Sequence, residues 1–154
     1  MKLIKKERGI ILLVSFFVMI LALSVVLGIS TILLSEIKVM RGLGNSVVSF
    51  YTAETGIEEI LYFDNREVPE GGVRGFCNIC NVRVANNCSG TACTFSGSDC
   101  NLTACTDCQI SYCTVVSDRT YSINASINPT EGTIFKSFGN YKKTTRAIEL
   151  NTGI

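Results

Sequence analysis

Met1-Lys-Leu-Ile-Lys-Lys-Glu-Arg-Gly9 passes directly into Ile10-Ile-Leu-Leu-Val14, and the apolar run continues unbroken to Leu34. Between Ile10 and Leu34 there is no charge, and the only polar side chains are Ser15, Ser24, Ser30 and Thr31. As a helix rising about 1.5 Å per residue, this run is roughly 37 Å long, enough to cross a hydrocarbon core of about 30 Å. Three readings compete for it. A cleavable secretory signal has an apolar region of about 7–15 residues closed by a small-residue site. This run is longer, and Ala22-Leu-Ser24 in its middle makes a poor site. A plain signal anchor fits the length. So does a signal cut before the apolar run instead of after it. The basic Lys5-Lys-Glu-Arg-Gly9 set directly against apolar residues favours that third reading.

Orientation follows from charge. Lys2, Lys5, Lys6 and Arg8 crowd the leading flank, whereas Glu36, Lys38 and Arg41 on the far side are more balanced. The positive-inside rule holds the basic flank in the cytoplasm and sends the remainder outward. Residues 35–154 can then form one small extracytoplasmic domain. The formal charge of the 154-residue chain is +1. Residues 1–9 hold four basic groups against Glu7, a surplus of three, so a chain beginning at Ile10 carries −2. Nothing in that balance points to wholesale binding of nucleic acid or anionic lipid. There is no histidine and no tryptophan. Without histidine the usual general base and the usual zinc ligand are missing, which argues against an enzyme.

From Ser35 to Phe63 the pattern remains helical. Ile37, Met40, Leu43, Val47, Phe50, Ile57 and Leu61 recur at helical spacing and form one apolar stripe. Glu36, Lys38, Arg41, Asn45, Glu58 and Glu59 supply most of the other side. Gly42 and Gly44 weaken the helix by about 1 kcal/mol each relative to Ala. A membrane anchor joined near Gly42-Leu-Gly44 to an ordinary core helix is the plainer alternative to one continuous helix.

Two motifs on this segment carry a resemblance. Arg8-Gly9 against Ile10-Ile-Leu-Leu-Val14 resembles the prepilin signature of type IV pilins and their relatives. Phe50-Tyr-Thr-Ala-Glu-Thr-Gly-Ile-Glu-Glu59, with Ala53-Glu54-Thr55-Gly56 at its centre, resembles the segment that closes the N-terminal helix of PilX-type minor pilins. Together they cover residues 5–62. The resemblance implies cleavage by a prepilin peptidase between Gly9 and Ile10, methylation of the new N-terminus at Ile10, and assembly with other pilin subunits. It also implies assembly roles for positions 14 and 54. Major pilins carry a glutamate at the fifth position after the cut, where it meets the N-terminal amine of a neighbour. Here that position is Val14, which offers the amine no partner to offset its desolvation. The departure favours an accessory or initiating subunit over a bulk fibre subunit.

Beyond Phe63 the texture changes. Asp64-Asn-Arg-Glu-Val-Pro-Glu-Gly-Gly72 reads as a turn-rich link. Eight cysteines follow: Cys77, Cys80, Cys88, Cys93, Cys100, Cys105, Cys108 and Cys113. The residues between them are small and polar, so cross-links must order a segment that buries little apolar area. An even count in an exported segment points to disulfides, whose pairing the spacing does not rank. Cys77-x-x-Cys80 with Cys105-x-x-Cys108 also has zinc-ligand spacing, and a redox Cys-x-x-Cys is a third possibility. Disulfides are favoured because the predicted compartment is oxidising.

The last forty residues read as antiparallel strands. Tyr121–Ile127 places Tyr121, Ile123, Ala125 and Ile127 on one face; Thr133–Phe138 and Thr144–Leu150 follow, and Gln109–Val116 is a candidate fourth. Asn128–Gly132 and Gly139-Asn140 are read as the turns. Such a meander can lie over the amphipathic helix and bury its stripe. Lys136, Lys142, Lys143 and Arg146 gather basic charge, which solvated strand ends explain as well as contact with DNA does. Asn87-Cys-Ser, Asn101-Leu-Thr and Asn124-Ala-Ser match a short glycosylation pattern that also arises by chance.

The expected architecture is α+β, a long N-terminal helix on a small antiparallel sheet with a disulfide-stapled loop region. Its segments are a leader at 1–9, a transmembrane and assembly helix at 10–34, an amphipathic continuation at 35–63, a linker and cysteine-rich region at 64–116, and a sheet at 117–154. The expected protein has no cofactor and no catalytic activity. It is anchored in the cytoplasmic membrane with its C-terminal domain outside, then carried into an extracellular pilus with a role in fimbrial initiation or adhesion. The alternative is a bitopic membrane protein whose cysteine-rich ectodomain binds a ligand and never polymerises.

Overall fold

The computed structural model describes residues 4–82, 88 and 93–153, with side chains from Gly9 onward. The basic side chains of the leader and the Asn87-Cys-Ser motif lie outside the described residues. The chain divides into two compact units, residues 1–42 and residues 43–154.

Helix α1 runs from Ile4 to Arg66. No proline interrupts it, and Val68-Pro69 just beyond its end biases the chain away from helical geometry. In the first unit every side chain from Ile10 to Leu34 is exposed, and an 18-residue window of the helix reaches a mean hydropathy of 3.2. By length and composition it is sufficient to cross a membrane. The four hydroxyls of the apolar run all donate within the helix: Ser15 to the Leu12 carbonyl at 2.9 Å, Ser24 to Leu21 at 2.8 Å, Ser30 to Val26 at 2.9 Å and Thr31 to Gly28 at 2.7 Å. Each polar group is thus satisfied without water, as an apolar solvent requires.

The second unit is a five-stranded antiparallel meander against the C-terminal part of α1. Its strands are β1 (Thr94–Ser96), β2 (Cys108–Val116), β3 (Arg119–Asn128), β4 (Gly132–Tyr141) and β5 (Thr144–Thr152), paired in chain order. Inward residues alternate strictly. Cys108, Ile110, Tyr112 and Thr114 on β2 lie beside Tyr121, Ile123, Ala125 and Ile127 on β3 and Thr133, Phe135 and Ser137 on β4. A 3-10 turn at Phe76–Asn78 and the short helix α2 (Ile79–Val82) close one end of this core. Phe76 meets Phe135 edge to face with ring centroids 6.0 Å apart. Ile60, Phe76, Ile79, Ile123 and Phe135 are each almost fully buried, contributing about 1.5–3 kcal/mol apiece.

Four sequence expectations are revised. First, the sheet covers only the end of the large-residue stripe, Ile57 and, in part, Leu61. Leu43, Val47 and Phe50 remain exposed, and the buried face is Ser49, Thr52, Ala53, Gly56, Ile57 and Ile60. That face is displaced by about one residue, near 100° around the helix. The reason is steric: helix and sheet backbones approach too closely for bulk. Second, Gly139-Asn140 is not a turn. Both residues lie within β4, and the reversal falls at Lys142-Lys143, with Lys142 at φ +52°. Gly139 is needed at the helix contact, where a Cβ would strike the α1 backbone at Ser49, Thr52 and Ala53.

Third, α1 continues through Arg66, so Asp64 belongs to the helix and not to the link. Its carboxylate is buried and receives the Arg74 guanidinium, Nε lying 2.9 Å from Oδ1, while Arg74 Nη1 donates to Thr133 Oγ1 at 2.9 Å. Fourth, the sheet has one strand more than expected: β1 lies inside the cysteine-rich segment, beside β2, which matches the candidate strand Gln109–Val116.

Candidate functional site

The residues singled out in the sequence fall in three places. Gly9, Ile10 and Val14 are exposed on α1 in the first unit, with no neighbour but the helix itself among the described residues.

The second place is the helix contact around Ala53-Glu54-Thr55-Gly56. Ala53 is fully buried, and Gly56 sits so close to β3 and β4 that a Cβ would lie 3.0 Å from Tyr121 Cδ2 and 3.3 Å from Ile123 Cδ1. Its nearest neighbour is Ser137 Oγ, which is buried and has no hydrogen-bond partner among the described residues. Ser49 Oγ donates to the Thr144 carbonyl at 2.9 Å, and Arg146 Nε donates to Ser46 Oγ at 2.7 Å. Glu54 itself is half-exposed and takes no part in this contact. The carboxylate that does is Glu59, which accepts a hydrogen bond from the Tyr121 hydroxyl. This corrects the placing of Glu59 on the polar side of the helix: one short turn beyond Gly56, it meets the inward Tyr121 of β3.

The third place is the cysteine cluster. Cys77 pairs with Cys105, Cys80 with Cys93, Cys88 with Cys113, and Cys100 with Cys108, at Cα separations of 5.9, 5.3, 5.6 and 4.8 Å. All lie in the usual disulfide range of about 4.4–6.8 Å. The four cysteines with zinc-ligand spacing are divided among three disulfides, so they do not form one thiolate site. No cysteine is free. Two of these bonds tie the Phe76–Val82 segment to Cys105 and to Cys93 just before β1, and two tie Cys88 and Cys100 to β2, replacing the core that so small and polar a stretch cannot build.

The basic residues are not gathered into one patch. Lys136 pairs with Glu149 at 3.1 Å on the outer sheet face, whereas Arg146 bonds toward α1. Lys142 and Lys143 form the β4–β5 turn, with the Lys142 ammonium 5.0 Å from the Tyr141 ring centroid. Asn101 is engaged locally, its Oδ1 accepting from the Thr103 and Ala104 amides at 3.1 and 2.7 Å. Among the described residues no group of three or more His, Cys, Asp or Glu is placed to hold a metal.

Compared with known proteins, no family model, curated protein or solved structure matches this chain. The class defined by fold and site is an apolar N-terminal helix bearing a disulfide-stapled helix-and-sheet unit.

Proposed function

We propose that this protein is a minor, accessory or initiating, pilin-like subunit of a type IV pilus or related secretion filament. The observation that carries the reading is the pairing of two motifs on α1, each with its own physical task. At Gly9-Ile10, both exposed, the sequence passes from basic to apolar, which suits a processing site. At Ala53–Gly56 the small side chains form the seat of the sheet, which explains why such a motif would close an assembly helix.

In this reading the precursor sits in the cytoplasmic membrane with residues 43–154 outside. Prepilin peptidase cuts after Gly9, and Ile10 is methylated. The apolar run then exchanges lipid for the helices of other pilin subunits, assisted by the assembly machinery. Val14 gives the following subunit's amine no carboxylate, which suits a subunit at the start of a filament. Four disulfides suit an exported head, and the head is the part available for adhesion.

Filaments sheared from cells that make this protein test the proposal. The expected result is a mature chain in the filament fraction that disappears when Gly9→Phe blocks processing. An uncut chain found only in membranes, in cells with an active peptidase, would instead support a bitopic protein that does not polymerise.

A further inference from the structure

The face of the sheet turned away from α1 carries a row of polar side chains set by strand register. Thr94, Ser111, Asn124, Lys136 and Glu149 are successive cross-strand partners on β1 to β5. Gln109 and Ser126, paired with each other on β2 and β3, stand in the next row. Between these rows lies a cavity of about 390 Å³. That volume is at the small end of small-molecule sites, about 300–1,000 Å³.

Its chemistry is specific in what it omits. Lys136 is neutralised by Glu149 at 3.1 Å, so no uncompensated charge awaits an ion. The remaining polar groups are hydroxyls and primary amides, which both donate and accept. Asn124 Oδ1 already accepts from Ser111 Oγ at 2.7 Å, leaving the Asn124 NH₂ to donate. Gln109 and Ser126 side chains have no hydrogen-bond partner among the described residues. Strands β3 and β4 are paired along both edges, and β1 covers β2 at Gln109–Ser111, so within the trough β2 offers side chains and no free strand edge.

We propose that this trough binds a neutral saccharide, whose dense hydroxyls match a lining that donates and accepts without net charge. The inference stands apart from the assembly reading, since it concerns only the outer sheet face.

The test uses the full chain with disulfides intact, in a zwitterionic detergent without a sugar headgroup, on a panel of neutral, sialylated and sulfated oligosaccharides. Two solvent-facing variants accompany it: Asn124→Ala removes the free amide, and Ser126→Arg fills the trough. The expected result is binding to at least one neutral glycan that falls tenfold or more in both variants, with melting temperature and disulfide count unchanged. If Ser126→Arg fails to fold, Asn124→Ala decides alone. Absence of neutral-glycan binding, binding only to charged glycans, displacement by an unrelated polar peptide, or undiminished binding in the folded variants would each overturn the proposal.

Discussion

Gly139 sets the distance between helix and sheet in the second unit. The atoms that an added methyl would meet are α1 backbone at Ser49, Thr52 and Ala53, which cannot rotate aside. Gly139→Ala should therefore cost about 3 kcal/mol, the upper end of ordinary overpacking. In a thermal melt of the full chain this should lower the midpoint by roughly 10 °C; an unchanged midpoint would contradict the close contact. Gly56 differs, because its nearest obstacle is the Ser137 hydroxyl, a small group without a hydrogen bond among the described residues. Ser137→Ala should be neutral or slightly stabilising, since it removes a buried unsatisfied oxygen. Gly56→Ala should cost about 1 kcal/mol alone and less than that in the Ser137→Ala background, where only the tight contacts with Tyr121 Cδ2 and Ile123 Cδ1 still oppose the better helix propensity. Purely additive effects in that cycle would show that the two positions do not touch.

At the scale of elements, the four disulfides are not equivalent. The Cys77–Cys105 bond spans 28 residues and Cys100–Cys108 spans 8. Restriction of the unfolded chain then gives about 3.6 kcal/mol for the first and about 2.5 kcal/mol for the second. Paired Cys→Ala variants compared by denaturant midpoint should rank in that order, and the reverse order would argue that native packing dominates. The sequence made β2, β3 and β4 legible because their inward residues alternate cleanly, whereas β5 shows only Ile148 and Leu150 half-buried and is marked mainly by the turn before it. It did not make β1 legible: Thr94–Ser96 is three residues long and wholly exposed, its start tied to α2 by Cys80–Cys93 and the loop after it tied to β2 by Cys100–Cys108. The buried helix face was misread for a related reason. Periodicity picks out large apolar side chains, and here the contact uses Ser49, Ala53 and Gly56, whose value is their lack of bulk. Gly139 was mistaken for a turn because chain punctuation and close approach call for the same residue.

For the whole molecule, the two ends of α1 differ in what they expose and what they bury. Residues 10–34 expose only apolar surface and internally satisfied hydroxyls, while residues 43–66 bury a narrow small-residue face under a sheet. A chain so divided should leave membranes only with detergent, or after its apolar run has found other helices to pack against. The assembly reading turns on what happens at Gly9-Ile10. The most direct measurement is the intact mass of the protein recovered from cells that possess a prepilin peptidase. The account predicts a chain beginning at Ile10, heavier by one methyl group and lighter by the hydrogens of four disulfides. A mass that retains residues 1–9 would contradict it.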